Sequence, residues 1–265
     1  GYYRVKYDLL TWGNITKYLN DSAGHYESIS VINRAKIIDD AFHLMMNHQI
    51  NVSVFWNLTQ FLSQETNFVV WYPMIKVFEY MSIIIPLTKE SNKFTDIMVK
   101  FRKLLEKPLK TLGYEEQPME NDFTKCLRQE IAKWACTLQY DECERSALRK
   151  LEHHLENHES RPLLSWWKHW TYCNGLRIAN SSIWSDVTDF LLKKYDRKLL
   201  SFLTCSEYGT FTSLSFLELF TEDERQDITI IRLHIDIFHS IIMKYSNTYN
   251  ILEKVLTFLE IRKPK

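Results

Sequence analysis

The sequence predicts an all-α protein, and three observations support that fold class. Glycine and proline number only six each in 265 residues, which is too few for the turns of a β-sandwich or β-barrel of this size. Apolar residues recur with helical periodicity almost to the end of the chain. With 45% hydrophobic and 14% aromatic residues, the chain can also bury a large core.

The first element is a short exception to the helical pattern. In GYYRVKYD, residues 1–8, aromatic and aliphatic residues alternate with Arg4 and Lys6, as they do in a β-strand. One strand cannot form a sheet by itself. Its neighbours would have to lie elsewhere.

The remaining residues, 9–265, are predicted to form helices with short connections. The predicted ranges are 9–20, 30–47, 52–64, 72–84, 91–111, 120–139, 142–156, 162–177, 184–196, 211–219, 224–245 and 247–259. Such helices usually pair antiparallel, and the pairs form either a bundle or an α-solenoid. This is more helices than one simple bundle core accommodates, and no fixed-period sequence repeat is visible. We therefore predict an irregular α-solenoid similar to HEAT or armadillo proteins.

The second predicted helix contains an arginine and two adjacent aspartates within an apolar run, NRAKIIDDAFHL at residues 33–44. One stripe of that helix is apolar, and its members are Val31, Ala35, Ile38, Phe42 and Met45. Asp39 and Asp40 point about 100° apart, so they cannot share a proton as a catalytic dyad does. Asp40 lies opposite the stripe and is expected in water, whereas Asp39 and Arg34 flank the stripe and would need partners on an adjoining helix. We therefore interpret the arginine and the two aspartates as structural residues.

Five cysteines allow disulfides but do not require them. Cys136 and Cys143, in WACTLQYDEC, could close a small loop, and Cys173 and Cys205 each lie near a predicted helix end. Cys126 is left over. Reduced, buried thiols are the competing interpretation.

Five Asn-X-Ser/Thr sequences favour disulfides over reduced thiols, because about two such sequences would occur by chance and they indicate a secretory protein. Their asparagines are Asn14, Asn20, Asn51, Asn57 and Asn180. They predict N-glycosylation and a secretory origin, extracellular or at the cell surface. No leader or membrane-spanning run is present in the sequence, so a signal or anchor would lie outside this chain.

Charge and motifs exclude several classes of function. Because 33 basic residues cancel 33 acidic ones, the sequence offers no general attraction for nucleic acid. His154 and His158, in LEHHLENH, could reach one metal ion from one helix face, but HExxH would need Glu at position 155, which is Leu155. No catalytic residue and no metal ligand is predicted.

Six blocks of sequence then indicate a family. They are GYYRVKYD, NRAKIIDDAFHL, FLSQETNFVVWYP, LRQEIAKWACTLQYDEC, TYCNGL and LLSFLTCSEYG. In this order they resemble the carboxy-terminal helical domain of aminopeptidase N-like zinc aminopeptidases (gluzincins), which include the endoplasmic-reticulum aminopeptidases, and insect members most of all. The resemblance covers residues 1–207 and fades beyond them, so we expect a truncated carboxy end.

The resemblance implies a function that the residues alone do not. In that family, a preceding domain holds zinc on an HExxH helix, and the helical domain caps that site and walls the peptide cavity. Residues 1–8 would then be the end strand of a preceding β-sandwich, and residues 9–265 the helical domain. None of the zinc ligands, the GAMEN-type loop or the catalytic tyrosine maps onto this chain, so it would hold no cofactor.

The resemblance also implies roles for individual residues. The disulfides would be Cys136–Cys143 and Cys173–Cys205. Asn33, Arg34, Asp39 and Asp40 would belong to a helix-packing motif of the non-catalytic domain, while the residues that bind substrate stay unassigned.

Two hypotheses of function follow. The first is the capping domain of a zinc metallo-aminopeptidase, with the catalytic domain of the same enzyme and its peptide substrate as partners. The second is a free-standing helical-repeat binding protein that has lost the catalytic domain. A homodimer is compatible with either hypothesis, because the sequence does not determine the oligomeric state.

Overall fold

The computed structural model describes residues 3–21, 23–84, 92–160, 162–194, 197–206 and 228–245, together with residues 253, 256, 257 and 260. The described part of the chain is helical, which confirms the predicted all-α class. Its α-helices are α1 Leu9–Leu19, α2 Val31–Met46, α3 Val52–Thr59, α4 Phe68–Ile84, α5 Asn92–Leu112, α6 Asp122–Thr137, α7 Asp141–Glu156, α8 Ser165–Ile178, α9 Ser181–Lys194, α10 Arg197–Leu200 and α11 Ile228–Tyr245. Short 3-10 helices lie at His25–Ser28, Gln60–Ser63 and Ser201–Cys205.

Most helix boundaries agree with the prediction to within a few residues, and α4 is the clearest difference. It begins at Phe68, four residues before the predicted start, and contains Pro73. Asn67 permits the earlier start because its side-chain oxygen accepts the N–H of Val69 at 2.9 Å, and its carbonyl accepts the N–H of Val70. The predicted helix at 211–219 and most of that at 247–259 lie outside the described residues.

The predicted amino-terminal strand is not formed by residues 3–8. The N–H of Val5 binds a side-chain carboxylate on α2 instead of a neighbouring strand. This segment therefore lies on the helical part of the molecule.

The chain forms two compact units, Gly1–Gln139 and Tyr140–Lys265. In the first unit, α2 packs on α3 and α4, and α6 packs on α4 and α5. Its core is strongly aromatic. The ring centroid of Phe78 lies 4.5 Å from the ring centroid of Phe101 and 5.2 Å from that of Trp134. The edge-to-face packing of Phe78 on Phe101 adds specific attraction to the burial of apolar area.

The second unit is built on the pair α7 and α8. Gly175 of α8, in the block TYCNGL, permits their close approach. A Cβ atom there would lie 3.1 Å from the Leu151 side chain and 3.2 Å from the Ala147 carbonyl oxygen, both tighter than ordinary van der Waals contact. The predicted helical domain, 9–265, thus contains two separately packed cores.

Candidate functional site

Asp40 holds the amino-terminal segment on α2. Its Oδ2 atom accepts the N–H of Val5 at 3.1 Å and a hydrogen bond from Lys36 Nζ at 2.6 Å. Lys36 also donates to the carbonyl of Tyr3 at 2.8 Å. Asp40 is only 3% exposed, so its predicted position in water is wrong. The segment covers the face of α2 opposite the apolar stripe, and helical periodicity carries no information about that cover.

Asp39 has a different environment, although it is the next residue. Its carboxylate is about half exposed and lies 3.6 Å from Arg4 Nη2 and 3.4 Å from His43 Nε2. These partners lie on the amino-terminal segment and on α2 itself, whereas an adjoining helix was predicted. The two aspartates have separate cationic partners, so they do not form an acid–base pair.

Arg34 makes a buried ion pair with Glu65. Its Nε atom donates to Glu65 Oε2 at 3.0 Å, and both side chains are almost fully buried. Its Nη1 atom donates to the carbonyls of Ile29 and Tyr26. The other Glu65 oxygen accepts backbone N–H groups that precede α4. This pair therefore joins the start of α2 to the loop before α4. Asn33 is exposed on α2, where its N–H binds the capping Ser30.

A cavity of about 500 Å³ lies beside the amino-terminal segment, α2 and α4. Its lining residues are Tyr3, Arg4, Ile32, Ala35, Lys36, Asp39, Asp40, Tyr72, Pro73 and Lys76. Tyr3 and Ile32 are largely exposed at its rim, and its charged groups are paired, including Lys76 with Glu79 at 2.7 Å. Exposed apolar groups beside paired charges suit contact with another polypeptide surface, so this cavity is the candidate binding surface of the first unit.

A second depression, of about 870 Å³, lies between residues 6–9 and residues 45–52. Asp8 lies at its edge and caps α1. Hydrogen bonds from the backbone N–H and the hydroxyl of Thr11, at 2.8 Å each, lower the pKa of Asp8. The carboxylate is thus used in a helix cap.

The two candidate metal-binding histidines pack against aromatic rings. His154 is buried and contacts Tyr172 and Phe190, and His158 contacts the same Phe190 ring. Within the described ranges, no three His, Cys, Asp or Glu side chains are grouped so that they could hold a metal ion.

Four of the five cysteines are oxidised. A disulfide joins Cys173 of α8 to Cys205, at the end of a 3-10 helix. Cys136 and Cys143 are also disulfide-bonded, and Cys126 is a free, exposed thiol.

Of the predicted glycosylation sites, only Asn20 is partly buried; Asn14, Asn51, Asn57 and Asn180 are exposed.

Sequence analysis missed the ion pair between buried Arg128 and partly buried Glu120. Arg128 is 2% exposed, its two terminal nitrogens donate to the Glu120 carboxylate, and its Nε donates to the Leu112 carbonyl at 2.8 Å. Arg128 lies in the quoted block LRQEIAKWACTLQYDEC, but its partner is the first residue of the predicted helix 120–139 and lies just before the observed start of α6 at Asp122. The available signal was one arginine within the apolar pattern of a helix.

Comparison with known proteins completes the description. Residues 1–207 match the family model described as ERAP1-like C-terminal domain. Aminopeptidase N of Plutella xylostella is 26% identical over 230 residues, covering 85% of this chain and 24% of that protein. Aminopeptidase Ey of Gallus gallus is 25% identical over 218 residues, covering 78% and 21%.

Human aminopeptidase N is 27% identical over 219 residues, covering 78% of this chain and 22% of that protein. The chain thus spans about a quarter or less of these relatives. No helix in the described part is long and apolar enough to cross a membrane. The family match covers most of the chain, from its first residue through α8 and α9, and the chain therefore belongs to the ERAP1-like C-terminal domain family.

Proposed function

We propose that this chain is the non-catalytic carboxy-terminal domain of a zinc metallo-aminopeptidase, where it caps the active site and walls the cavity that receives peptide. The family match over residues 1–207 carries the proposal. The matched relatives are aminopeptidases, and the corresponding segment is a minor part of each. Zinc and the catalytic residues would lie in another domain of the same enzyme.

The packing of the first unit supports a capping role. The hydrogen bonds of Asp40 and Lys36 hold the amino-terminal segment on α2, and the Arg34–Glu65 pair holds α2 to the loop before α4. A domain that closes over an active site has to move as a body if closure is to exclude water and position substrate. The buried Arg34–Glu65 pair and the partly buried hydrogen bonds of Asp40 support such rigidity within the first unit.

Two finer features of architecture belong to the same proposal. Residues 1–8 would add the end strand to a preceding β-sandwich, which would supply the neighbouring strand that residues 3–8 lack here. The helix pairs would stack as an irregular α-solenoid, a form with extended concave surfaces suited to walling a cavity. The preceding domain would then approach the candidate binding surface around Tyr3 and Tyr72.

A secretory or cell-surface location fits the oxidised cysteines and the glycosylation sequences. One relative is named thyrotropin-releasing hormone-degrading ectoenzyme, from Rattus norvegicus. The free-standing binding protein is not favoured, because the relatives contain this domain within longer aminopeptidases.

The experiment compares the chain alone with the protein encoded by the intact transcript. With zinc added, the chain alone should release no amino acid from aminoacyl-anilide substrates, because its described residues hold no metal-binding group. The intact protein should contain an upstream HExxH sequence and should hydrolyse these substrates. Deleting residues 9–265 from it should lower kcat/KM for peptides more than for anilides, which do not fill the cavity.

Two results would contradict the proposal. One is zinc-dependent turnover by the chain alone that is abolished by His154→Ala. The other is an intact transcript that encodes no zinc-binding sequence. Equal loss of peptide and anilide hydrolysis on deletion would contradict the cavity-walling role and leave the family assignment unchanged.

A further inference from the structure

The five glycosylation sequences differ in how the structure uses the asparagine carboxamide. At Asn51, the side-chain oxygen caps α3 by accepting the N–H of Ser53 at 2.9 Å and its hydroxyl at 3.0 Å. At Asn180, the oxygen caps α9 by accepting the N–H of Ile183 at 2.9 Å. Among the described residues, neither Nδ2 atom makes a hydrogen bond. The two exposed side chains thus keep their nitrogens available.

An N-linked glycan is compatible with this form of helix cap. The sugar attaches to Nδ2, and the side-chain oxygen remains an acceptor for the first turn of the helix. The other exposed sites, Asn14 on α1 and Asn57 on α3, also direct no side-chain hydrogen bond to a described residue. Four of the five carboxamides can therefore carry a sugar without breaking a contact.

Asn20 uses its carboxamide in the opposite way. It is the carboxy-terminal cap of α1, and its Nδ2 atom donates to the Thr16 carbonyl at 2.8 Å and to the Asn57 carbonyl at 3.0 Å. Both partners are acceptors, so exchanging the side-chain oxygen and nitrogen would place three oxygens together. Both N–H directions of Asn20 are thus occupied.

A glycan on Asn20 would overlap the backbone. A C–N bond of about 1.45 Å along either N–H direction would place the sugar carbon roughly 1.5 Å from a carbonyl oxygen. Non-bonded heavy atoms approach only to about 3.5 Å. The modified side chain would also keep only one of its two donors. Glycosylation of Asn20 and the observed contact between α1 and α3 therefore exclude each other.

We propose that N-glycosylation of this chain is selective, with glycans on Asn14, Asn51, Asn57 and Asn180 but not on Asn20 in the folded protein. The inference rests on the secretory origin in the proposed function. In the transfer, the anomeric C–O bond of a polyprenyl-diphosphate-linked oligosaccharide breaks and a C–N bond to Nδ2 forms. The amide nitrogen loses a proton, and polyprenyl diphosphate leaves. Transfer precedes folding, so chains modified at Asn20 would fail to reach the secreted pool.

Site-by-site mapping of the secreted chain tests the selectivity. The chain is secreted from mammalian cells behind a heterologous signal peptide and treated with peptide N-glycosidase in H₂¹⁸O, which marks each formerly glycosylated asparagine. We expect ¹⁸O at the four exposed sites and none at Asn20. Label on Asn20 at the level of the other sites, or no label on Asn51 and Asn180, would overturn the inference.

Native material tests the secretory origin separately, because the heterologous signal supplies entry to the pathway. If the protein from its native cells lacks all five glycans while the secreted chain shows four, the proposed location fails and the site selectivity stands.

Matched variants separate the sugar from the hydrogen bonds. Asn51→Asp retains a capping oxygen and should remove one glycan, with little change in the thermal midpoint when variant and parent are both produced without N-glycans, so that position 51 of the parent is still asparagine. Asn20→Asp should leave the glycan mass unchanged and lower the midpoint, because a carboxylate cannot donate to the two carbonyls. Ser22→Ala removes the Asn20 glycosylation sequence without altering Asn20 and should leave the glycan mass unchanged. Loss of one glycan in the Ser22→Ala protein would contradict the proposal.

Discussion

Adjacent aspartates on α2 have unequal importance for stability. Asp40 is buried and accepts two hydrogen bonds that hold residues 3–5 on the helix, whereas Asp39 stays half exposed with long contacts to Arg4 and His43. Exposed ion pairs contribute little, since solvent screens them and their side chains lose entropy. Loss of a buried acceptor leaves its donors unsatisfied. The larger effect is therefore expected at Asp40.

Replacing Asp40 with Ala should lower the free energy of unfolding by about 1–3 kcal/mol, because the Val5 N–H and the Lys36 ammonium group lose their carboxylate acceptor. The matched change Asp39→Ala should cost less than about 0.5 kcal/mol. Urea unfolding of both variants and the unmodified chain measures the difference. A larger loss for Asp39→Ala than for Asp40→Ala would contradict the greater importance assigned to the buried Asp40 carboxylate.

At the scale of elements, the connection between α5 and α6 depends on Glu120. Its carboxylate binds Arg128 of α6 and the N–H of Gln117, and Arg128 in turn binds the carbonyl at the end of α5. The hydrogen bonds from Arg128 are the main cause that lowers the pKa of Glu120 below its usual 4.5. The pair thus couples helix packing to pH.

The pH dependence has a defined sign. Because the pKa of Glu120 is lower in the folded state, its contribution to stability is complete above the unfolded pKa near 4.5 and is lost as the pH falls through the folded value. Glu120→Gln should therefore destabilise the chain at pH 7, and the difference from the unmodified protein should shrink below pH 4.5. Denaturation midpoints measured across this range test the expectation.

Glu106→Gln is the control for this series. Glu106 pairs with Lys110 at the exposed surface, so its substitution should have a much smaller effect at every pH. A Glu120→Gln difference that stays constant down to pH 3 would contradict the role assigned to the carboxylate.

At the scale of the whole molecule, the two units are stabilised by different kinds of interaction. The first unit, Gly1–Gln139, contains the aromatic core, the buried Arg34–Glu65 pair and the partly buried Arg128–Glu120 pair. In the second, the Cys173–Cys205 disulfide joins α8 to residues 201–205 across 32 positions of sequence. Loop-closure entropy assigns such a cross-link about 3–4 kcal/mol. We therefore expect the local stability of the second unit to depend on the Cys173–Cys205 disulfide.

Hydrogen exchange can locate that dependence. In a Cys173→Ser, Cys205→Ser double variant, amide exchange should accelerate in α8 and in residues 201–205, with α2 and α4 of the first unit unchanged. Cys126→Ser is the control, because Cys126 is exposed and free, and it should alter neither unit. An equal acceleration in both units would show that they unfold as one cooperative body.

Local sequence was sufficient for most of the helices and for the family, but not for the amino-terminal segment, where a strand was predicted. The spacing of apolar residues placed α2 within one residue of its observed ends and α7 within one residue of its start, because the helical period is a property of the backbone that neighbouring residues share. The ordered blocks across residues 1–207 identified the family that the match confirms. None of these conclusions needed contacts between distant residues.

Tertiary structure decided the environment of the buried charged and polar side chains whose partners are distant in sequence. Periodicity placed Asp40 in water, yet a segment 35 residues away in sequence covers it. Glu65 lies 31 residues from Arg34 in sequence, and only the packing of the chain makes it the partner of that buried arginine. Asn20 and Asn51 carry the same glycosylation signal, but only Asn20 has both amide hydrogens directed at carbonyls, one of them 37 residues away. Helix formation follows from short-range backbone geometry, whereas burial and hydrogen-bond partners depend on which distant segments meet.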